Sequence, residues 1–345
     1  RQARGVAPTP VTRNALITAC ERGGEWVVAL RLLVDAAFGT DAAQLPFASS
    51  AAISARARAG EWERSLPLLP HALGVRLVFF NAGGMATLDP FTVWTESAGA
   101  LPDGLDAIAH VACKDLSKNG LETHLRNLRS VGVANLLALT GDYPVGSKPV
   151  FDLDSLGLLQ LAMDVNGRFI RQTDPEELDE AFQFTAGAGM SPYKYTLASA
   201  WQQYAKMLKK VTSGASFLIS QVGYDVVMSA DLTRYARAHD VQAALFGNIY
   251  LLTKGAATKM HAGDLPGCYA SDALMETVTR EWRTATKGRT AALTRMAYQT
   301  ALFQAQGYRG AHLGGWGLTY DDCIEVLERA TEITNAGLDP EAVRE

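Results

Sequence analysis

Four groups of residues in this chain have the types and spacings that could hold a flat, charged ligand. Asp142 follows Thr140-Gly141 at the end of the apolar run Val133 to Leu139. A carboxylate just past the C-terminal end of a parallel strand stands where α/β barrels and open sheets keep their chemistry, and a preceding glycine lets backbone approach a planar group. The competing reading is a loop aspartate that caps the next turn. Gln221 ends the run Phe217 to Val222 and carries an amide that both donates and accepts hydrogen bonds, or else closes a buried layer. His110 lies inside the run Ala107 to Cys113, where a lone histidine is more often a satisfied core group. Gln203, Lys206 and Lys210 share one face of a helix expected over Thr196 to Ser213. A lysine ammonium there attracts phosphate as a point charge, whereas the plainer reading is a solvated lysine face that includes Lys209. No Ser-His-Asp grouping, HExxH helix or initial strand followed by GxGxxG is present, so serine hydrolase, zinc protease and Rossmann readings have no support.

The elements that must position these residues are legible as periodicity. The apolar runs Ala107 to Cys113 and Val133 to Leu139 flank the amphipathic segment Asn119 to Ser130, the pattern of a parallel βαβ unit. Further strands are expected at Arg76 to Phe80, Phe182 to Gly187, Phe217 to Val222, Val241 to Phe246 and Gly310 to Leu313, with Gly247 to Gly267 as a glycine- and lysine-bearing loop. The chain has 345 residues, room for one barrel of about 250 residues and a smaller addition. A hydrophobic share of 48% with 20% charged residues describes an ordinary globular protein, and a net charge of −4 leaves no basic footprint for nucleic acid. The four cysteines stand apart without a CxxC pair, so no metal site is expected and a reducing compartment fits. No apolar run is long enough to cross a bilayer.

The wording of several segments then narrows the reading. Ala109-His110-Val111-Ala112-Cys113-Lys114-Asp115, Leu137 to Pro144 (LALTGDYP) and Val150 to Ser155 (VFDLDS) resemble the central motifs of methylenetetrahydrofolate reductases. Lys210 to Asp225 (KVTSGASFLISQVGYD), Phe184 to Tyr195 (FTAGAGMSPYKY) and Gly307 to Gly315 (GYRGAHLGG) are similar to later segments of that family in the same order, so the resemblance runs from about Val75 to Leu327. It implies an α/β fold of the (β/α)8 TIM-barrel type holding FAD. That family passes hydride from NAD(P)H to the flavin and on to methylenetetrahydrofolate, giving methyltetrahydrofolate for methionine synthesis. By the same resemblance Asp142 lies near flavin and folate, Gln221 contacts folate, and His110, Thr140, Gly141, Gln203, Lys206 and Lys210 line the FAD site. The family often has arginine where Thr140 stands, and aspartate where Gln203 stands. Nothing upstream matches the family's first strand, whose glutamate supplies a proton, so the barrel is expected to lack that strand.

In its place stands a repeat. Val11 to Leu33 aligns without gaps to Phe47 to Leu69 at an offset of 36 residues, sharing Gly-Glu-Trp and a helical apolar pattern. The wording resembles pentatricopeptide repeats, which implies that Asn14 and Ser50 occupy base-selecting positions. Two repeats make a short surface, and a packing or docking role outweighs RNA recognition. The expected division is therefore repeats over 1–73 and barrel over 74–345, with a small-molecule folate partner and room for a homo-oligomer. A cytoplasmic location is expected, with an organellar alternative because the chain starts at Arg1. Two rival readings stay open: a flavin- and folate-binding protein with impaired turnover, and an RNA-associated adaptor that uses the repeats.

Overall fold

Short apolar runs that alternate with amphipathic stretches fold here into one parallel sheet flanked by helices. The computed structural model describes residues 77–80, 106–142, 148–172, 183–194, 196–265 and 267–337. The two repeats lie outside the described residues. The strands are β1 (Leu77–Phe80), β2 (Asp106–Ala112), β3 (Asn135–Leu139), β4 (Thr185–Met190), β5 (Phe217–Ser220), β6 (Ala244–Tyr250) and β7 (Gly310–Gly314). They stand side by side in sequence order, and every pair from β2 to β7 is parallel. Helices α1 (Lys118–Ser130), α2 (Ser155–Gln172), α3 (Leu197–Thr212) and α4 (Val226–Ala238) each join consecutive strands from β2 to β6. Three helices, α5 (Lys254–Ala262), α6 (Asp272–Glu281) and α7 (Arg289–Gln306), stand between β6 and β7, and α8 (Tyr320–Asn335) follows β7. Sequential parallel strands with helical crossovers are the (β/α) barrel order, and seven of its eight strands are among the described residues. Ile108–Leu318 falls within one of the two compact units into which the chain separates, and the site described below lies wholly inside it. Among the described residues no helix is long and apolar enough to cross a membrane.

Helix starts follow the sequence closely. Ser117, Thr196, Asp225, Thr253 and Ser271 each accept a hydrogen bond from the backbone N–H three residues on, satisfying an amide that the helix itself leaves open. Leu121, Leu125 and Leu128 recur at helical spacing and are fully buried, which turns one face of α1 onto the sheet. Each such leucine contributes about 1.5–3 kcal/mol by leaving water.

Two strand positions differ from expectation for the same reason. The run expected at Phe182 to Gly187 gives a strand at Thr185–Met190, and the one expected at Val241 to Phe246 gives Ala244–Tyr250. The segment expected as a loop from Gly247 to Gly267 therefore begins inside β6 and contains α5. In both strands a glycine sits where an aromatic ring covers the backbone. A Cβ at Gly187 would come within 2.1 Å of the Phe217 ring, and one at Gly247 within 2.2 Å of the Phe303 ring. Strand propensity disfavours glycine, but here the missing side chain is what lets the rings pack.

The base of β4 is held by one buried amide. Asn166 donates from Nδ2 to the Phe184 carbonyl at 3.0 Å and accepts the Phe184 N–H at Oδ1 at 2.8 Å. Asn166→Ala leaves both backbone groups without this partner and is expected to cost about 3 kcal/mol of unfolding free energy. Urea denaturation measures it; a loss under about 1 kcal/mol would show that the clamp is not structural.

Candidate functional site

The loops at the C-terminal ends of β2 and β3 are fixed by carboxylates. Asp115, at φ 62°, donates its N–H to the Val150 carbonyl at 2.7 Å and accepts the Val150 N–H at Oδ1 at 3.1 Å. Asp152 accepts the Lys118 N–H at 2.7 Å at the start of α1, and Asp154 accepts the Gly157 N–H at 2.9 Å at the start of α2. The Lys114-Asp115 and Val150 to Ser155 motifs are thus lashed to each other and to two helix starts. Thr140 belongs to the same arrangement, since its Oγ1 accepts the Ser155 N–H at 3.2 Å.

That framework sets the conformation of the next two residues. Gly141 has φ +97°, and a Cβ there would lie 2.8 Å from the Lys114 Cβ, so the position requires glycine on both counts. Asp142 follows, exposed, at the end of β3. Its charge reaches Cys268, whose thiol is raised by burial first and by Asp142 second. Gln221, half-buried at the end of β5, accepts the Val222 N–H at Oε1 at 2.9 Å. Its Nε2 would be 3.2 Å from a Cβ at Gly267. Gly267 therefore lies against Gln221, and the neighbouring Cys268 is within electrostatic reach of Asp142, 79 positions before Gln221 in sequence.

His110 sits within β2, half-buried, opposite Leu137 in the parallel register. Burial, and secondarily His312, push its pKa from 6.5 down to about 4. His312 on β7 is also lowered by burial, and its Nδ1 lies 3.1 Å from Asn248 Oδ1 on β6. Both rings are neutral at pH 7, and neither serves there as an imidazolium acid. Neither the Asn248–His312 pair nor its proximity to His110 was expected; the clue was the histidine in GAHLGG.

The helix-face residues divide. Gln203 is half-buried and Lys206 exposed on α3. Lys210 turns inward, and its Nζ donates to the Gly189 carbonyl near the end of β4. Its pKa is lowered by burial first and by Lys206 second, with Asp154 opposing, which agrees with the shared face of Lys206 and Lys210. Asp154 also helps raise the Cys113 thiol to about 12, after burial. Ser191, just past β4, is buried, and its Oγ has no partner among the described residues. A Cβ at Gly189 would meet only the Leu139 side chain, at 3.9 Å, so there is room beside the backbone at this point of β4.

With this geometry in hand, the comparison with known proteins decides the family: the description "Methylenetetrahydrofolate reductase" matches residues 91–312, well over half of the chain. The chain belongs to the methylenetetrahydrofolate reductase family. It is 28% identical over 129 residues to methylenetetrahydrofolate reductase (NADH) 1 of Zea mays, covering 35% of this chain and 21% of that one. It is 30% identical over 129 residues to the probable NADH enzyme of Oryza sativa subsp. japonica, covering 35% and 20%. It is 26% identical over 154 residues to the probable NADPH enzyme of Caenorhabditis elegans, covering 44% and 21%. The matched stretches span about a fifth of the length of these curated relatives. A solved structure from Clostridium thermocellum, of an uncharacterized protein that binds two copies of 5-methyl-5,6,7,8-tetrahydrofolic acid, covers 80% of this chain and 90% of its own. Its TM-score is 0.52 at 9% identity, a likeness of fold.

The lowered pKa of His110 makes stability depend on pH. The unfolded chain binds the proton at about 6.5 and the folded one only near 4, so the contribution is complete above pH 6.5 and is lost as pH falls from 6.5 towards 4. The full change is about 3 kcal/mol at 1.36 kcal/mol per pKa unit. Urea midpoints at pH 7 and pH 5 are expected to fall less in His110→Gln than in the parent chain; equal falls would remove His110 as the cause.

Proposed function

We propose that this chain carries a barrel unit, over 74–345, for flavin-dependent reduction of methylenetetrahydrofolate to methyltetrahydrofolate by NAD(P)H. The observation that carries the reading is that Asp142 past β3 and Gln221 past β5 stand at C-terminal strand ends, with Gly267 against Gln221 and the adjacent Cys268 feeling the Asp142 charge. Family membership supplies the reaction class.

The residues present fit FAD. Gly189 leaves room for close backbone approach, the Gly141 turn presents Asp142, Ser191 Oγ is a buried group in want of a partner, and Lys206 offers a cation for phosphate. Bound FAD would supply the hydride relay between nicotinamide and folate. Asp142 would hold the pterin edge and set a negative charge beside the flavin, and Gln221 would donate to and accept from the folate. His110, neutral, would line the ring site by hydrogen bonding rather than by charge. Thr140 Oγ1 accepts the Ser155 N–H and keeps its own O–H to donate, and Lys210 gives one N–H to the Gly189 carbonyl and keeps two and its charge, so both would still offer donors to the flavin. Gln203 would contribute an amide to the same face.

A second reading, a flavin and folate binder without turnover, is favoured by the sequence lacking the family's first-strand glutamate and by both histidines being held neutral. One titration separates the two. Purified chain reconstituted with FAD is expected to show flavin bands that bleach under anaerobic NADH or NADPH and return on adding methylenetetrahydrofolate. Bleaching without return supports the binder, and failure to bind FAD overturns both. Asp142→Asn is expected to keep the bands and to slow their folate-dependent return at least tenfold.

A further inference from the structure

A cleft of about 410 Å³ lies among the start of α4, α6 and α7, and a cavity of about 350 Å³ shares Tyr193, Gly223, Tyr224, Asp225 and Leu274 with it. Neither is lined by Asp142, Gln221, His110, Thr140, Gly141, Gln203, Lys206 or Lys210. The walls of the cleft are ring and hydrocarbon surface from Tyr193, Tyr224, Leu274, Leu302 and Phe303. Such walls with a few polar groups among them are the composition of a small-molecule site.

Two polar groups in that wall are unsatisfied. Arg295 gives Nη2 to Glu281 at 2.6 Å, while its Nη1 is buried with no partner among the described residues. Gln299 gives Nε2 to the Gly223 carbonyl at 2.9 Å, while its Oε1 is likewise buried and without a partner. The two residues are four apart on α7, so they share a face, Arg295 held through Nη2 and Gln299 through its amide nitrogen. Two residues of the cleft lining thus each keep one buried polar atom, a cationic donor and an acceptor, without a partner among the described residues. Buried groups left in this state are costly, and native structures rarely keep them without a partner.

We propose that this cleft is a second binding site, lined by none of the residues assigned to flavin or folate, for a planar heterocycle whose edge presents a carbonyl oxygen beside a ring N–H. The carbonyl accepts from Arg295 Nη1, the ring N–H donates to Gln299 Oε1, and the ring lies against the tyrosines and leucines. Both atoms are buried in the unliganded chain, so binding requires the ends of the Arg295 and Gln299 side chains to turn towards the cleft and the Gln299–Gly223 bond to be exchanged for one to the ligand; the last glutamine torsion is broad.

Calorimetric titration of the full chain with hypoxanthine tests it, with 1-methylhypoxanthine, which lacks the ring N–H, as the comparison. Saturable hypoxanthine binding, weakened at least tenfold by the methyl group, is expected. Gln299→Leu is expected to weaken it at least tenfold. Ala273→Trp, at an exposed position on the cleft wall, is expected to abolish it with the fold preserved by circular dichroism. Asp142→Asn is expected to leave it unchanged, so its outcome is independent of the flavin reading. No saturable binding, equal binding of the methylated ring, or binding indifferent to Ala273→Trp would each overturn the proposal.

Discussion

Parallel strands end with backbone groups that no neighbouring strand satisfies, and helix starts bring further unpaired N–H groups to the same end of the sheet. In this protein the problem is met at β2 and β3 by side-chain oxygen. Asp115, Thr140, Asp152 and Asp154 take up the amides of Val150, Ser155, Lys118 and Gly157. The Gly141 turn, with no room for a Cβ against Lys114, exists only because the segment before α2 is pinned in this way. The candidate site is a by-product of helix capping: the same tie that starts α2 aims Asp142 out of the sheet.

Charge is distributed unevenly around that framework. The histidines inside the strands are neutral, the carboxylates of the lash point at backbone, and the lysines stand on α3. Lys210 is drawn inward by the Gly189 carbonyl, while Lys206 stays in water and lowers the pKa of Lys210. A ligand spanning strand ends and helix would therefore meet hydrogen-bonding groups at one end and a cation at the other.

Much of this was legible in the sequence, and the exceptions are physical. The βαβ unit over β2, α1 and β3 was plain because its apolar runs and its cap are local. The bounds of α3 came out within a residue because Thr196 is a capping residue. β4 and β6 each begin three residues later than expected and run on past Gly187 and Gly247, where the distant rings of Phe217 and Phe303 take the space of the missing side chains. The positions of Asp142 and Gln221 could be read as strand ends, but the approach of Gly267 to Gln221 could not, since that segment carries no pattern. Thr140 and Asp154, taken from motif wording, turn out to hold backbone, a role that spacing to the next helix start could have suggested.

The lash has a consequence for how the chain finds its fold. Asp152 meets Lys118, and Asp115 meets Val150, across 34 and 35 residues, whereas Asn248 and His312 are 64 apart, and Gln306 reaches Val226 across 80. Closing a loop grows more costly with its length, and non-local contacts form more slowly. The unit from β2 to α2 can therefore close before the β6–β7 half has its partners. On a ribosome the turn that bears Asp142 would be in place while the strand that completes the far side of the sheet was still being made.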